Sequence, residues 1–532
     1  MWVGAITSTT ARIVVSTTNS VRLAVDVESS LAGATFYGPV TPANGVASFT
    51  VTGLDPNTRY FYAVEDGWVS GPVGSFKTTP LIGEPSSFQF TAGNCAGHAE
   101  GGFTLDQVSN HPVFDTIRSV DPLLNIHLGD LHYRDITTND PASFRSAYTD
   151  ALATRQGVLL REVPTAYMID DHDAAGNNSH AGSTAMPSAL QVYREQVPHY
   201  PLPDATGLWQ SWAVGRVLFL LADVRSYRSP NSDPDGSSKT MLGSAQKAWM
   251  EVILADPGFD AAMLVWLMPS QWMGTGSDTW ASFATERAEL VGLFGDYQWL
   301  DRMCIVGGDL HALAIDTGTG NTSGGFPVFQ VGSYDGNGGL PTLQYDTGPT
   351  SPGRNRFGRF DVHDCGAGVT LTGNLHIGTS TWKAHTLKVA RVGSPALPAT
   401  VSFQQPINED GFTDTSYAPG ANACAVVFTA PPSGRVTVTW AARMETNTGD
   451  GVLVSVEVRS GDTVGSGGVV AAADDDYAVE TAGVASGNDQ KSNFRLVSGL
   501  TPGAKYHART MHKVTAGNAD LFSRQVLVRP EP

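Results

Sequence analysis

Five apolar runs in the middle of this chain each end in residues suited to binding ions, and no other feature constrains the fold as much. Phe88-Gln-Phe-Thr-Ala leads into Gly93-Asn94-Cys95, Leu123-Leu-Asn-Ile-His-Leu into Gly129-Asp130-Leu-His132-Tyr133, and Ala166-Tyr-Met-Ile into Asp170-Asp171-His172-Asp173. Val217-Leu-Phe-Leu-Leu-Ala leads into Asp223-Val-Arg225-Ser-Tyr227-Arg228, and Met303-Cys-Ile-Val-Gly into Gly308-Asp309-Leu-His311. Short apolar runs bounded by glycine and polar residues read as strands buried on both faces. In open α/β sheets the loops at the carboxyl ends of such strands form the ligand crevice, so these polar ends are expected to meet.

Between the runs, Asp140 to Val163, Ser244 to Leu254 and Ser282 to Leu293 have helical apolar spacing, which makes residues 85–392 an α/β domain. The first 80 residues behave differently. ARIVVS, RLAVDV and ASFTVTGL alternate apolar and polar positions between Gly, Pro and Asn, as a small β-sandwich does. In Leu54-Asp-Pro56-Asn-Thr-Arg-Tyr60, a tyrosine follows an L-x-P turn and can bond its hydroxyl back to the corner backbone. The same spacing recurs at Leu500-Thr-Pro502-Gly-Ala-Lys-Tyr506, after strands such as GRVTVTWAAR, and implies a second sandwich over 405–532. The Pro-containing stretch at 393–404 is the expected linker. With 58 glycines and 31 prolines against a charged share of 16%, the composition favours such short strands and turns.

A net charge of -18 without a Lys/Arg run lacks the footprint of a nucleic-acid binder. No apolar stretch is long enough to span a bilayer, and MWVGAITSTTARIVV has no basic n-region followed by an apolar run, so no signal peptide is expected. Cys95, Cys304, Cys365 and Cys424 lie far apart and form neither a zinc knuckle nor a disulfide framework. Cys304 reads as a buried apolar thiol. His132 is expected near the rim of the site, and Asn177 and Asn178 either orient substrate or form the turn.

The strand ends resemble the signature of the alkaline phosphatase D (PhoD-like) family, within the calcineurin-like metallophosphoesterase superfamily. The resemblance implies a four-layer αββα core and a metal-activated water that attacks a phosphate ester. It assigns metal ligands to Cys95, Asp130, Tyr133, Asp171, Asp309 and His311. Gly129-Asp130 with Tyr133 matches GD-x-x-Y, in which the aspartate bridges metals and the phenolate binds a ferric ion. Cys95 stands where the family uses a thiolate, Asp171-His172 matches D-D-H, and Asp309 with His311 matches GD-x-H. His172 would bond the phosphoryl group or protonate the leaving oxygen, while Arg225 and Arg228 of D-x-R-x-Y-R would bind phosphate oxygens or form a structural salt bridge to an aspartate such as Asp223. The implied cofactors are one Fe3+ and one or two Ca2+. Thr240-Met-Leu-Gly-Ser-Ala-Gln246-Lys-Ala-Trp249 matches a helix start of the same family, whereas Gln271 lies where many superfamily members place a metal-binding histidine.

The N-terminal module resembles fibronectin type III. FTAPPSGRVTVTWAARMETNTG and FRLVSGLTPGAKYHARTMHKV are similar to sandwich modules in tail proteins of phages that infect actinobacteria. Together these resemblances imply a phosphomonoesterase or phosphodiesterase that acts extracellularly or on a virion, as a homo-oligomer or within a tail assembly, with cell-wall teichoic acid among its substrates. The alternative they leave open is a structural or receptor-binding tail protein whose phosphatase-like domain serves mainly to bind the host surface.

Overall fold

The computed structural model describes residues 1–66, 69–98, 107–336, 344–390, 401–405, 408–431, 434–446, 451–481, 489–501 and 503–530. The chain forms two compact units, Met1–Arg391 and Val392–Pro532. Most of the expected linker at 393–404 lies outside the described residues; its last positions belong to the strand Val401–Gln405.

The first unit is built around two sheets. One runs in the order Thr165–Met168, Leu124–Leu128, Phe88–Gly93, Arg356–Asp364, Gly368–Ile377 and Ser380–Ala390. The other runs Gln210–Val214, Val217–Leu221, Met263–Met268, Met303–Gly307, Val328–Gln330, Ala312–Asp316 and Ser351–Pro352. Within each sheet the strands with ion-binding ends run parallel to one another, so their polar termini emerge at one end. Aromatic rings join the sheets. Phe90 stacks on Phe360 with centroids 4.7 Å apart, and its ring meets Phe219 of the other sheet edge-on at 5.3 Å. Phe329 meets Phe360 in the same way at 5.3 Å.

Helix positions follow from caps and apolar faces. The expected helical stretch from Asp140 to Val163 is two helices, α2 (Pro141–Leu152) and α3 (Arg155–Glu162), preceded in the chain by α1 (Val113–Val120). Asp140 caps α2 by accepting from Ala142 N and Ser143 N, with proline at the first turn, and Thr154 caps α3 by accepting from Gln156 N. After α4 (Asp171–Ala174) and α5 (Met186–Gln196) come α6 (Gly243–Ala255) and α7 (Ala284–Asp296). Met250 and Leu254 of α6, with Leu290 and Phe294 of α7, cover Leu218, Leu220, Leu264 and Trp266 of the second sheet. Phe114 and Ile117 of α1 cluster with Leu159, Tyr334 and Phe357.

The first strands of the chain share this core. Trp2 Nε1 donates to Thr165 O at 3.3 Å, Tyr62 Oη to Arg161 O at 2.8 Å, and Ser75 Oγ to Glu162 O at 3.1 Å. Tyr60 Oη accepts from Asp55 N at 2.9 Å, which is the corner bond its spacing suggested.

The second unit is all β. One sheet comprises Val401–Gln405, Ala519–Pro530, Val436–Thr446 and Asp489–Val497, with Glu409–Phe412 alongside. The other comprises Ala425–Thr429, Lys505–Val514, Val452–Ser460 and Val469–Ala471, with Val479–Thr481 alongside. Val438, Trp440, Val454, Val456 and Phe428 form its core. Tyr506 Oη accepts from Thr501 N at 2.9 Å, repeating the corner bond. No helix among the described residues is long and apolar enough to cross a membrane.

Candidate metal centre

The loops after the strands are tied to one another by backbone hydrogen bonds. Cys95 N donates to Gly129 O at 3.1 Å, Ala96 N to Asp130 O at 2.8 Å, and Gly308 N to Met268 O at 2.9 Å. Residues far apart in the chain therefore converge. Ligand atoms of Cys95, Asp130 and His311 lie within 4.8 Å of one another, and so do those of Asp130, Asp171 and His172. Cys95 Sγ is 3.3 Å from Asp130 Oδ2, and Tyr133 Oη is 2.8 Å from His311 Nε2. Asp309 falls outside both groups; Gln271 Nε2 donates to its Oδ2 at 3.3 Å.

The backbone is strained where it presents these groups. Fourteen described residues other than glycine have positive φ, among them Cys95 (54°), Asp130 (61°), Tyr133 (51°), Asp309 (73°) and His311 (54°). Two more, Asp135 and Asn178, bond His172 and Asp171, so half of these unfavourable conformations sit at one site. Such strain persists only where the surrounding fold over-determines it, and it concentrates at functional sites. Gly129 is required for a related reason. Its φ is +85°, and a Cβ there would lie 2.3 Å from Asp170 Cβ. Gly129→Ala is therefore expected to push the Asp130 and Asp170 loops apart and weaken metal binding by about 10- to 100-fold, measured as retained metal after dialysis.

Electrostatically the site is crowded with acids. Burial, then the neighbouring Asp130 carboxylate, pushes the Cys95 thiol well above its usual range. Burial likewise raises Asp130 and Tyr133. Asp309 rises to about 7 through burial and the charges of Asp278 and Asp171. Burial alone would lower His172, but Asp130, Asp135 and Asp171 outweigh it and raise the imidazole to about 10. Asp130 Oδ1 and Asp170 Oδ2 are buried with no hydrogen-bond partner among the described residues. Orphaned buried carboxylate oxygens call for a missing partner, and a cation would relieve every one of these penalties. Thiol, phenol, imidazole and carboxylates in one cluster fit a metal centre.

Of the two arrangements the sequence left open for the arginines, the structure shows ion pairs, with partners other than Asp223. Arg225 Nε donates to Asp170 Oδ1 at 2.6 Å, and its other nitrogens reach Asp278 and Ser179 O. Arg228 Nη2 pairs with Asp278 Oδ1 at 2.7 Å, and both guanidiniums are fully buried. Asp223 pairs with neither guanidinium. It accepts from Arg225 N and Ser226 N, while Gln246 of α6 bonds its backbone N and O at 2.9 and 2.7 Å, which ties the start of α6 to this strand end.

Other expectations are settled locally. His132 does not reach the rim: it is wholly buried, accepts from Arg134 N, and lies edge-on to Tyr148, because the turn that aims Asp130 and Tyr133 at the site buries the two residues between them, Leu131 and His132. Asn178 N donates to Asp171 Oδ2 at 2.7 Å, so its backbone orients the Asp171 carboxylate. Cys304 is buried, with its thiol raised to about 12 by desolvation. Sequence reasoning missed Asp135, Asp278 and Asn231. Asp135 follows Tyr133 closely and was within reach, but Asp278 lies in a loop with no local signal.

Residues 94–322 match the model of the PhoD-like phosphatase family. Alkaline phosphatase D of Bacillus subtilis is 22% identical over 312 residues, covering 49% of this chain and 52% of that protein. An uncharacterized protein of Mycobacterium tuberculosis is 26% identical over 260 residues, 47% of each. The chain thus spans about half the length of the curated relatives it matches. The solved structure of PhoD superposes with a TM-score of 0.56 at 17% identity, covering 72% of this chain and 87% of that one. A purple acid phosphatase from yellow lupin (Lupinus luteus) seeds gives 0.51 at 14% identity, with 72% and 73% covered. Residues 94–322 of this chain are therefore similar in sequence to PhoD-like phosphatases, and the chain shares its fold with PhoD and the lupin purple acid phosphatase.

Proposed function

We propose that this chain is a metal-dependent phosphoric-ester hydrolase acting on phosphomonoesters or phosphodiesters. The observation that carries this reading is a shared carboxylate, since Asp130 belongs both to the Cys95 and His311 group and to the Asp171 and His172 group. Cys95, Asp130, Tyr133 and His311 would hold a ferric ion, for which thiolate, phenolate and imidazole are suitable donors. Asp130, Asp171 and Asp309 would hold calcium, a hard cation that prefers carboxylate oxygens. Metal ions in such a place lower the pKa of water and neutralise the equatorial oxygens of a phosphate ester.

The chain's own residues do the rest. His172 Nδ1 bonds Asp135 Oδ1 at 2.6 Å, and its ring stacks on Tyr133 at 4.4 Å. That arrangement leaves Nε2 to hold a proton for a phosphoryl or leaving oxygen. The complete burial of Cys95 and Tyr133 keeps water from one side of the centre. Arg225 and Arg228 act on the phosphate from behind Asp170 and Asp278, adding positive potential.

The same proposal extends to the setting. The helices on the outer faces of the sheets support the four-layer αββα arrangement, and the corner bonds of Tyr60 and Tyr506 support reading the flanking modules as a fibronectin type III-like sandwich and a phage-tail-like sandwich. An extracellular or virion-borne enzyme acting on teichoic acid is the reading these resemblances favour. Elemental analysis combined with hydrolysis of a chromogenic monoester, a chromogenic diester and purified teichoic acid tests it. Iron and calcium in the protein, with turnover lost on chelation and restored on reloading, are expected. A folded protein that binds no metal and hydrolyses none of the three would remove it.

A further inference from the structure

Four charged side chains form a buried row beside the metal centre, and the most exposed of them, Asp278, has no role in the chemistry above. Arg225 Nε donates to Asp170 Oδ1 at 2.6 Å, while its Nη2 and Nη1 fork onto Asp278 Oδ2 and Oδ1 at 2.9 and 3.2 Å. Arg228 Nη2 and Asn231 Nδ2 close on the same Oδ1 at 2.7 and 2.8 Å, and Arg228 Nη2 also bonds the backbone O of Asp278 at 3.1 Å. The side chains of Asp170, Arg225 and Arg228 are inaccessible, and that of Asp278 is 17% exposed. Charges therefore alternate along the row in a place where an unpaired ion would be costly.

A third carboxylate lies within reach of the Arg225 guanidinium. Asp171 Oδ2 is 3.7 Å from Arg225 Nη2, which instead bonds Asp278 at 2.9 Å. If Asp278 lost its charge, the strongest acceptor left for that nitrogen would be Asp171, and a carboxylate gripped by a buried guanidinium has less charge to offer a cation. The loop that carries Asp278 runs from the strand Met263–Met268 to α7 and also bears Gln271, which bonds Asp309. One loop thus reaches both sides of the centre.

We infer that Asp278 is a positioning residue that holds Arg225 away from Asp171, and so keeps the Asp171 carboxylate available to a cation. This deepens the proposed function and rests on its assignment of Asp171 to the metal centre. Asp278 touches neither substrate nor metal; it acts through Arg225.

The test is a cobalt(II) binding isotherm on the full chain, stripped by chelation, with turnover of a chromogenic diester measured alongside. Asp278→Asn keeps the shape and removes the charge. It is expected to weaken the weaker cobalt-binding step by about 10-fold or more, and to lower kcat at limiting cobalt with recovery at excess, while KM stays within about threefold. Arg225→Met in the Asp278→Asn background is expected to restore the isotherm, because no guanidinium remains to take Asp171. An Asp278→Asn isotherm identical to wild type, or a double variant that binds as weakly as the single one, overturns the inference. If Asp278→Asn loses the wild-type circular dichroism, Asp278→Glu decides, since it retains the charge: an unchanged isotherm supports the role and a 10-fold loss overturns it. A wild-type chain that binds cobalt but hydrolyses no ester would overturn the phosphoesterase reading alone, and one that binds no cobalt would overturn both.

Discussion

Replacing Asp130 with alanine is expected to lower kcat/KM on any ester the protein hydrolyses by about 1,000-fold or more, because one carboxylate serves both ligand groups. Bound metal, measured by elemental analysis, should fall with it. Stability should move the other way. Burial raises the Asp130 pKa in the folded protein, so ionising it costs more there than in the unfolded chain, and at neutral pH the metal-free site is destabilised by that difference. The penalty is absent well below the unfolded pKa, where the group is protonated in both states, and it grows as pH rises above it. Metal-free Asp130→Asn should therefore melt above the metal-free wild type at neutral pH, and the gap should close under acid conditions. Undiminished turnover in the alanine variant would dissolve the proposed centre; a lower melting temperature for the asparagine variant would mean that the carboxylate is compensated by protein groups.

Phe90→Ala should cost about 3–5 kcal/mol of folding stability, the usual range for emptying a fully buried phenylalanine site. Phe90 has no exposed surface and contacts rings from both sheets, stacked on Phe360 and edge-on to Phe219. Its loss leaves a cavity on the seam that holds the sheets face to face, where each aromatic pair adds stability beyond its buried area. The measurement is the urea midpoint of the Met1–Arg391 transition, with metal content and kcat at 25 °C expected to stay near wild type while the protein remains folded. A loss below about 1 kcal/mol would show that the rings repack, and that the sheets are held by something other than this seam.

Much of the site could be read in the sequence because its determinants are short-ranged. Gly129-Asp130-Leu-His132-Tyr133 is a strand end followed by a tight turn, and local rules for apolar runs and glycine locate both. The tyrosine corners at Tyr60 and Tyr506 were legible for the same reason, as each bond spans five residues. His132 was misplaced because spacing within a loop does not say which way each side chain turns. The arginines' carboxylate partner could not be named from the sequence because Asp278 is 53 residues from Arg225, in a loop whose sequence gives no sign of it.

The order of residues alone specifies the alternation of buried strands and helices, the polar residues each strand carries at its end, and the β-rich segments on either side. Packing alone settles that Cys95, Tyr133 and His311 hold left-handed backbone and that Asp278 takes the arginine forks. The reason is the range of the forces. Apolar periodicity and turn preference act over a few residues, whereas pairing buried charges and tolerating a strained backbone depend on neighbours that meet only once both sheets have packed.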